Sequence, residues 1–165
     1  MTGFNRRRRH DGTIMKRYFL LACLSFSSVA SPALADPSCA PIARGMEIMA
    51  DETHFTFVTS SSSGEIVRLD GRSDGVWESR KGDDVPHRYT REEFSEELRS
   101  EAHWAQEKED LTCRPDGEES LDNRIMTIFV SSDDSRFWLG KTDGRLYKAV
   151  DGDETTVITY DQSAK

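Results

Sequence analysis

Three histidines follow residue 35, and histidine is the side chain best suited to acid–base or metal chemistry near neutral pH. His54, His87 and His103 belong to no recognised nucleophile or zinc-binding pattern. His103 and Glu107 are spaced i, i+4 on a predicted helix, which suits either a metal site or an exposed charge pair. We favour the charge pair because no further ligand is evident. We therefore predict no catalytic histidine, no metal and no cofactor.

Adjacent carboxylates are the second feature that could carry chemistry. Asp83-Asp84, Glu118-Glu119 and Asp133-Asp134 fall in predicted loops, and paired carboxylates serve as acid and base in some hydrolases. The chain contains 30 Asp and Glu residues, so such pairs also arise from composition alone. No Gly-x-Ser-x-Gly motif is present. A small hydrolase is accordingly the third-ranked functional hypothesis.

Two cysteines, Cys39 and Cys113, lie outside the predicted signal segment. Cysteines in an oxidising compartment usually pair, whereas a zinc site needs four ligands and this chain has no Cys-x-x-Cys motif. The sequence therefore predicts a Cys39–Cys113 disulfide.

The first 35 residues resemble a secretory signal peptide. A basic segment at residues 15–17 precedes the apolar run at residues 18–30, and Ala33 and Ala35 supply the small side chains of a cleavage site. The run is too short to span a bilayer. We predict cleavage after Ala35, a single domain over residues 36–165, and a periplasmic or secreted location. Met15 is an alternative start to Met1.

The mature chain is strongly acidic. Residues 36–165 contain 16 Lys and Arg and 29 Asp and Glu, giving a net charge of −13 against −8 for the full sequence. This charge argues against binding to nucleic acid and to anionic membrane surfaces, and no stable membrane anchor is predicted. Two partner classes remain open, an apolar small molecule and a basic protein.

Periodicity predicts an α+β domain. Apolar spacing indicates a helix over residues 38–50 and a second from Thr90 to residue 110, where Thr90 and Glu93 form a capping box. Alternation predicts strands at residues 54–59, 65–69, 76–78, 125–130, 136–139, 146–150 and 155–160. Residues 80–88 are expected to form a loop, and residues 115–117 a turn. Short connections favour a curved antiparallel sheet with one or two helices, arranged as two helix-plus-meander halves. Duplication and chance similarity both explain the repeat.

Six aromatic residues of the predicted strands are candidates for a concave apolar groove. An ordinary core between sheet and helix would use the same side chains. The six residues are Phe55, Phe57, Trp77, Phe129, Trp138 and Tyr147.

The second half carries a resemblance to a known group of proteins. Cys113, Gly117-Glu118, a strand, the segment RFWLGKTDGRLYK at residues 136–148 and a final strand ending at Tyr160 follow one another in that order. This order resembles small uncharacterised secreted proteins of proteobacteria, and it is distantly similar to the curved half-barrel sheets of periplasmic lipoprotein carriers. The first half matches less well, because it lacks the tyrosine after the glycine. The resemblance implies a curved sheet and no catalytic residue.

These observations predict a non-enzymatic periplasmic or secreted binding protein. The alternative is an acidic inhibitor or immunity-type protein that acts on a basic enzyme.

Overall fold

The chain forms one open, curved antiparallel sheet of nine strands with two helices, so the predicted α+β class is confirmed. The structure is a computed structural model that describes residues 37–108 and 110–161. The predicted signal peptide, its cleavage site and the alternative start lie outside these residues.

The elements follow a helix-plus-meander order in each half. A 3-10 turn at Pro37–Cys39 leads into α1 at Ala40–Asp51, and α2 spans Arg91–Glu107. The strands are β1 Phe55–Ser61, β2 Ile66–Arg72, β3 Gly75–Arg80, β4 His87–Tyr89, β5 Cys113–Leu121, β6 Arg124–Ser131, β7 Arg136–Gly140, β8 Leu146–Asp151 and β9 Glu154–Tyr160. Their order in the sheet is β4-β3-β2-β1-β9-β8-β7-β6-β5, so the pairing of β1 with β9 joins the two halves.

Two strands were missed by the sequence analysis. Residues 87–89 form β4 at the end of the predicted loop, and residues 115–117, predicted as a turn, lie within β5. Both are edge strands, which can be short and irregular because each pairs on one side only. Between Pro115 and Glu118 the register shifts by a bulge, in which Gly117 has a φ of 105°. The turn-like composition of residues 115–117 therefore marks a bulge within β5 and not a chain reversal.

The first helix begins two residues later than predicted. Cys39 occupies the N-cap position without a side-chain cap bond, while the Ser38 hydroxyl accepts a hydrogen bond from the Cys113 amide at 2.8 Å. Gly45, which lowers helix propensity, is buried against the β7–β8 hairpin. A Cβ at Gly45 would lie 3.3 Å from Leu139 Cδ2, so the glycine allows close approach of α1 to the sheet.

The Cys39–Cys113 disulfide is present, with an S–S distance of 2.05 Å and Cα atoms 4.9 Å apart. It joins the 3-10 turn before α1 to the first residue of edge strand β5. The bond therefore connects the N-terminal helix to the end of the sheet contributed by the second half.

Strand registers define two faces of the sheet. Phe55 pairs with Gly71 and Tyr160, and its ring stacks on Phe94 of α2 with centroids 5.3 Å apart. The face that carries Phe55 is the helix-facing side. Residues one position out of step with Phe55, such as Thr56, point to the opposite surface, called here the outer face. The main core forms on the helix-facing side, where Phe94, Met49 and Leu98 are among the largest fully buried side chains. Met126 and Trp138, which the register places on the outer face of the second half, are also buried, at 1% and 5% exposed.

The predicted capping box of α2 is confirmed. Thr90 Oγ1 accepts from the Glu93 amide at 3.2 Å, and Glu93 Oε2 accepts from the Thr90 amide at 2.8 Å. Thr90→Ala is expected to lower the free energy of unfolding by about 1 kcal/mol, because an amide at the start of the helix loses its partner. Thr90→Ser keeps the hydroxyl and should change stability little. Equal urea midpoints for the two variants would contradict this role.

Candidate functional site

The six aromatic residues predicted to line a groove are divided between the two faces. Phe55 and Phe57 both lie on the helix-facing side of β1. Phe129 lies on the same side, because the strand registers align it with Phe137, Thr156 and Thr59 in one row across the sheet. The register places Trp77 and Trp138 on the outer face, because Trp77 pairs with Asp70 and Trp138 with Lys148. The six side chains therefore do not line one groove. Strand periodicity identifies alternation within a strand but not the face that each strand shares with its neighbours.

Most of these aromatics have defined partners. Trp138 Nε1 donates to Glu119 Oε2 at 2.6 Å, and Lys148 Nζ lies 4.3 Å from the centre of the Trp138 ring. The Tyr147 hydroxyl donates to Asp143 Oδ2 at 2.7 Å, and burial together with this bond raises the pKa of Tyr147 to about 12. Trp138 and Tyr147 are also buried, so these contacts give both a structural role.

Phe129 lines a cavity of about 350 Å³ on the helix-facing side, beside α1 and the β7–β8 turn. Arg44 and Lys141 also line it, and Lys141 is engaged by Glu118 at 2.6 Å. Its wall carries the charged residues Arg44, Lys141 and Asp143, so it is not the apolar groove that was predicted.

Trp77 has a different environment, between arginines. The guanidinium carbon of Arg72 lies 5.6 Å from the centre of its ring and that of Arg88 lies 5.7 Å away, both within range of a cation–π contact. Among the described residues neither arginine forms a salt bridge. Arg88 Nη2 donates to the Asp74 carbonyl, which holds it near the ring. Two cations beside one indole form a place where an anionic group would be attracted.

A cavity of about 620 Å³ adjoins this cluster at the ends of β1, β2 and β9. Arg68 and Asp70 lie in its wall, where Arg68 Nε donates to Asp70 Oδ2 at 2.9 Å and Nη2 donates to Oδ1 at 2.8 Å. Thr56 Oγ1 donates to the same carboxylate at 2.9 Å. Asp70 is the register partner of Trp77, so the cavity and the Arg72–Trp77–Arg88 cluster are continuous.

The Asp70 carboxylate should respond to loss of its partner. Hydrogen bonds from Arg68 hold the pKa of Asp70 below its ordinary value, against the opposing effect of burial. A depressed pKa stabilises the fold above the unfolded-state pKa, and this contribution is lost as pH falls through the folded-state pKa. Arg68→Met is therefore expected to raise the pKa of Asp70 in a carboxyl NMR titration. Arg136→Met, a change on a distant strand, is the control; an unchanged Asp70 pKa in Arg68→Met would contradict the assignment.

The sheet separates charges between its faces. Of the eight Lys and Arg residues in the described strands, only Arg80 lies on the helix-facing side by register. At registered positions of the described strands, the outer face has two carboxylates, Asp70 and Glu119. Asp116 in the β5 bulge also pairs with Arg114 at 3.2 Å, so the excess is four cations. The seven cations of the outer face are Arg68, Arg72, Arg88, Arg114, Arg124, Arg136 and Lys148.

The helix-facing side has the opposite sign. Helix α2 contributes six glutamates and two arginines, and the strands add Glu78, Glu118, Asp151 and Glu154 on that side. Glu78 is buried, and accepts from the Tyr89 hydroxyl at 2.6 Å and from Arg80 Nε at 2.5 Å. The acidic net charge is thus concentrated on one side of the molecule.

Exposed aliphatic side chains lie among the outer-face cations. Ile66 on β2 and Val157 on β9 retain 42% and 43% of their accessible surface. Val58 of the intervening strand β1 pairs with both Arg68 and Val157. This part of the outer face combines positive charge with exposed apolar surface.

The histidines are not assembled into a site. His103 Nε2 lies 3.0 Å from Glu107 on an exposed helix surface, which is the i, i+4 contact expected from sequence. His87 packs edge-on against Tyr89, and His54 lines the cavity of about 620 Å³. Within residues 37–108 and 110–161, no three His, Cys, Asp or Glu side chains are grouped as metal ligands would be.

The sequence analysis missed the outer-face cations as a group. Arg68, Asp70 and Arg72 alternate along β2, and this i, i+2, i+4 spacing is the signal that could have placed them on one face. Their relation to Arg88 and Lys148 depends on strands that are distant in sequence.

Within the part of the chain that the structure describes, no helix is both long and apolar enough to cross a bilayer. No protein-family model matches the chain, and no curated protein matches it in sequence.

Proposed function

We propose that this chain is an exported, non-enzymatic binding protein whose binding surface is the outer face of the sheet. The observation that carries the proposal is the Arg72–Trp77–Arg88 cluster. The two arginines form no salt bridge among the described residues, and both lie beside the indole of Trp77. Arg72 also lines the cavity of about 620 Å³. Arginine and tryptophan are the side chains most often found at the energetic centres of binding surfaces.

Near β1–β4, the two sides of the sheet differ in what they leave accessible. On the helix-facing side, Phe55 is 3% exposed and is covered by Phe94 of α2. On the outer face, Arg72 and Arg88 are exposed and Trp77 is half-buried. The disulfide supports the export half of the proposal, since such bonds persist in oxidising compartments.

A pair of tryptophan variants tests the proposed surface. Trp77→Ala should abolish capture of the ligand from a periplasmic extract, with captured proteins and lipids both identified. Trp104→Ala is the matched control, because Trp104 is also contacted by a cation, Lys108 at 4.7 Å, but lies on α2. Capture that survives Trp77→Ala would rule out the outer face.

The acidic inhibitor hypothesis has its own supporting observation, the six glutamates of α2. In that case Glu96→Gln with Glu101→Gln would abolish capture of a basic protein, whereas Trp77→Ala would leave it intact. The same assay therefore separates the two functions.

A further inference from the structure

The cations of the outer face extend across the whole sheet. They begin with Arg88 on edge strand β4 and end with Arg114 on edge strand β5, eight strand spacings away. With strands about 4.8 Å apart, this distance is about 38 Å along the sheet. A single small anion contacts only one or two of these side chains, so the distribution suits an extended partner.

We infer that the outer face docks on a membrane surface of anionic phospholipid headgroups. This inference rests on the proposed function and specifies its ligand. Headgroup phosphates attract arginine and lysine, and the headgroup–acyl boundary accepts aliphatic side chains. The outer face presents both, since Ile66 and Val157 are exposed between Arg68, Lys148 and Arg136. A soluble polyanion would match the charges and leave these aliphatic side chains unmatched.

The acidic net charge does not oppose this docking. Six glutamates belong to α2, which packs on the other side of the sheet. Layers in proteins pack about 10 Å apart, and the Debye length at physiological ionic strength is about 8 Å, so charges beyond the helix layer are largely screened from a surface touching the outer face. The same separation of charge orients the molecule, because an anionic surface attracts one side and repels the other.

Vesicle sedimentation tests the inference. Purified protein should sediment with vesicles of phosphatidylglycerol and phosphatidylcholine in equal parts at low salt, and not with phosphatidylcholine alone. Binding should be lost at about 0.5 M NaCl, where the Debye length is about 4 Å.

Two double variants with equal charge change localise the binding. Each cation near an anionic membrane contributes about fivefold to partitioning, so Arg72→Gln with Arg88→Gln should weaken binding about 25-fold. Arg44→Gln with Arg99→Gln removes two exposed arginines of the helices and should leave binding unchanged. Ile66→Ser should weaken binding several-fold, through lost apolar contact. Unchanged melting curves confirm that each variant is folded.

The other outcomes identify what has failed. Absence of binding to anionic vesicles at low salt overturns the membrane inference. If heparin or polyphosphate binds instead and depends on Arg72 and Arg88, the outer face remains the binding surface and only its occupant is wrong. If light scattering shows a dimer that is lost in Arg72→Gln with Arg88→Gln, the outer face binds a second copy of the chain, and the membrane inference is overturned. Vesicle binding that depends on Arg44 and Arg99 overturns both the inference and the proposed surface.

Discussion

Replacing Cys39 and Cys113 together with alanine is expected to lower the free energy of unfolding by about 4.5 kcal/mol. The two cysteines are separated by 74 positions, so the bond closes a loop of 75 residues counting both ends. The chain-entropy relation for a loop of that length gives about 4.5 kcal/mol. The loop contains α1, β1–β4 and α2, so nearly the whole first half is constrained in the unfolded chain. For a domain of this size the melting temperature should fall by roughly 15–20 °C.

Reductant supplies the matched control for this prediction. It should destabilise the natural protein toward the value of the double variant and leave the double variant unchanged, as measured by thermal melts followed by circular dichroism. A reduced protein that melts at the oxidised temperature would contradict the structural role of the bond.

Phe94→Ala is expected to lower the free energy of unfolding by about 4 kcal/mol. Phe94 is 1% exposed, and its ring stacks on Phe55 at a centroid distance of 5.3 Å. The truncation would leave a cavity between α2 and β1 at the point where the helix docks on the sheet. Denaturant unfolding gives the free energy directly.

Trp104→Ala is the control on the same helix. Trp104 is 38% exposed, so its removal should cost less than about 1 kcal/mol, as is usual for surface substitutions. Similar midpoints for Phe94→Ala and Trp104→Ala would mean that α2 does not dock through Phe94.

Local patterns predicted most of the elements correctly. The Thr90–Glu93 capping box and the stripe of Phe94, Leu98, Ala102 and Ala105 gave α2, since each signal lies within a few residues of the structure it forms. The helix ended at Glu107 instead of residue 110. The edge strands β4 and β5 were missed because pairing with β3 and β6 forms them, without an apolar alternation of their own.

The candidate site was much less predictable. Phe57 and Trp77 both lie on strands with alternating character, and sequence alone gave no reason to separate them. The registers of β2 with β1 and β3 place them on opposite faces, because Phe57 pairs with Leu69 whereas Trp77 pairs with Asp70, the next residue of β2. A shift of one residue would exchange the two faces.

By itself, the sequence determined the class, the disulfide and the acidic net charge, because these depend on periodicity, on the count of cysteines and on composition. Tertiary structure alone decided how that charge is distributed. Seven cations from six strands meet on one face, because the register between these strands places their charged positions on the same side of the sheet. The acidic helix α2 packs on the opposite face, where Phe94 stacks on Phe55. Composition gives only the sum of charges, whereas pairing between distant strands places them in space.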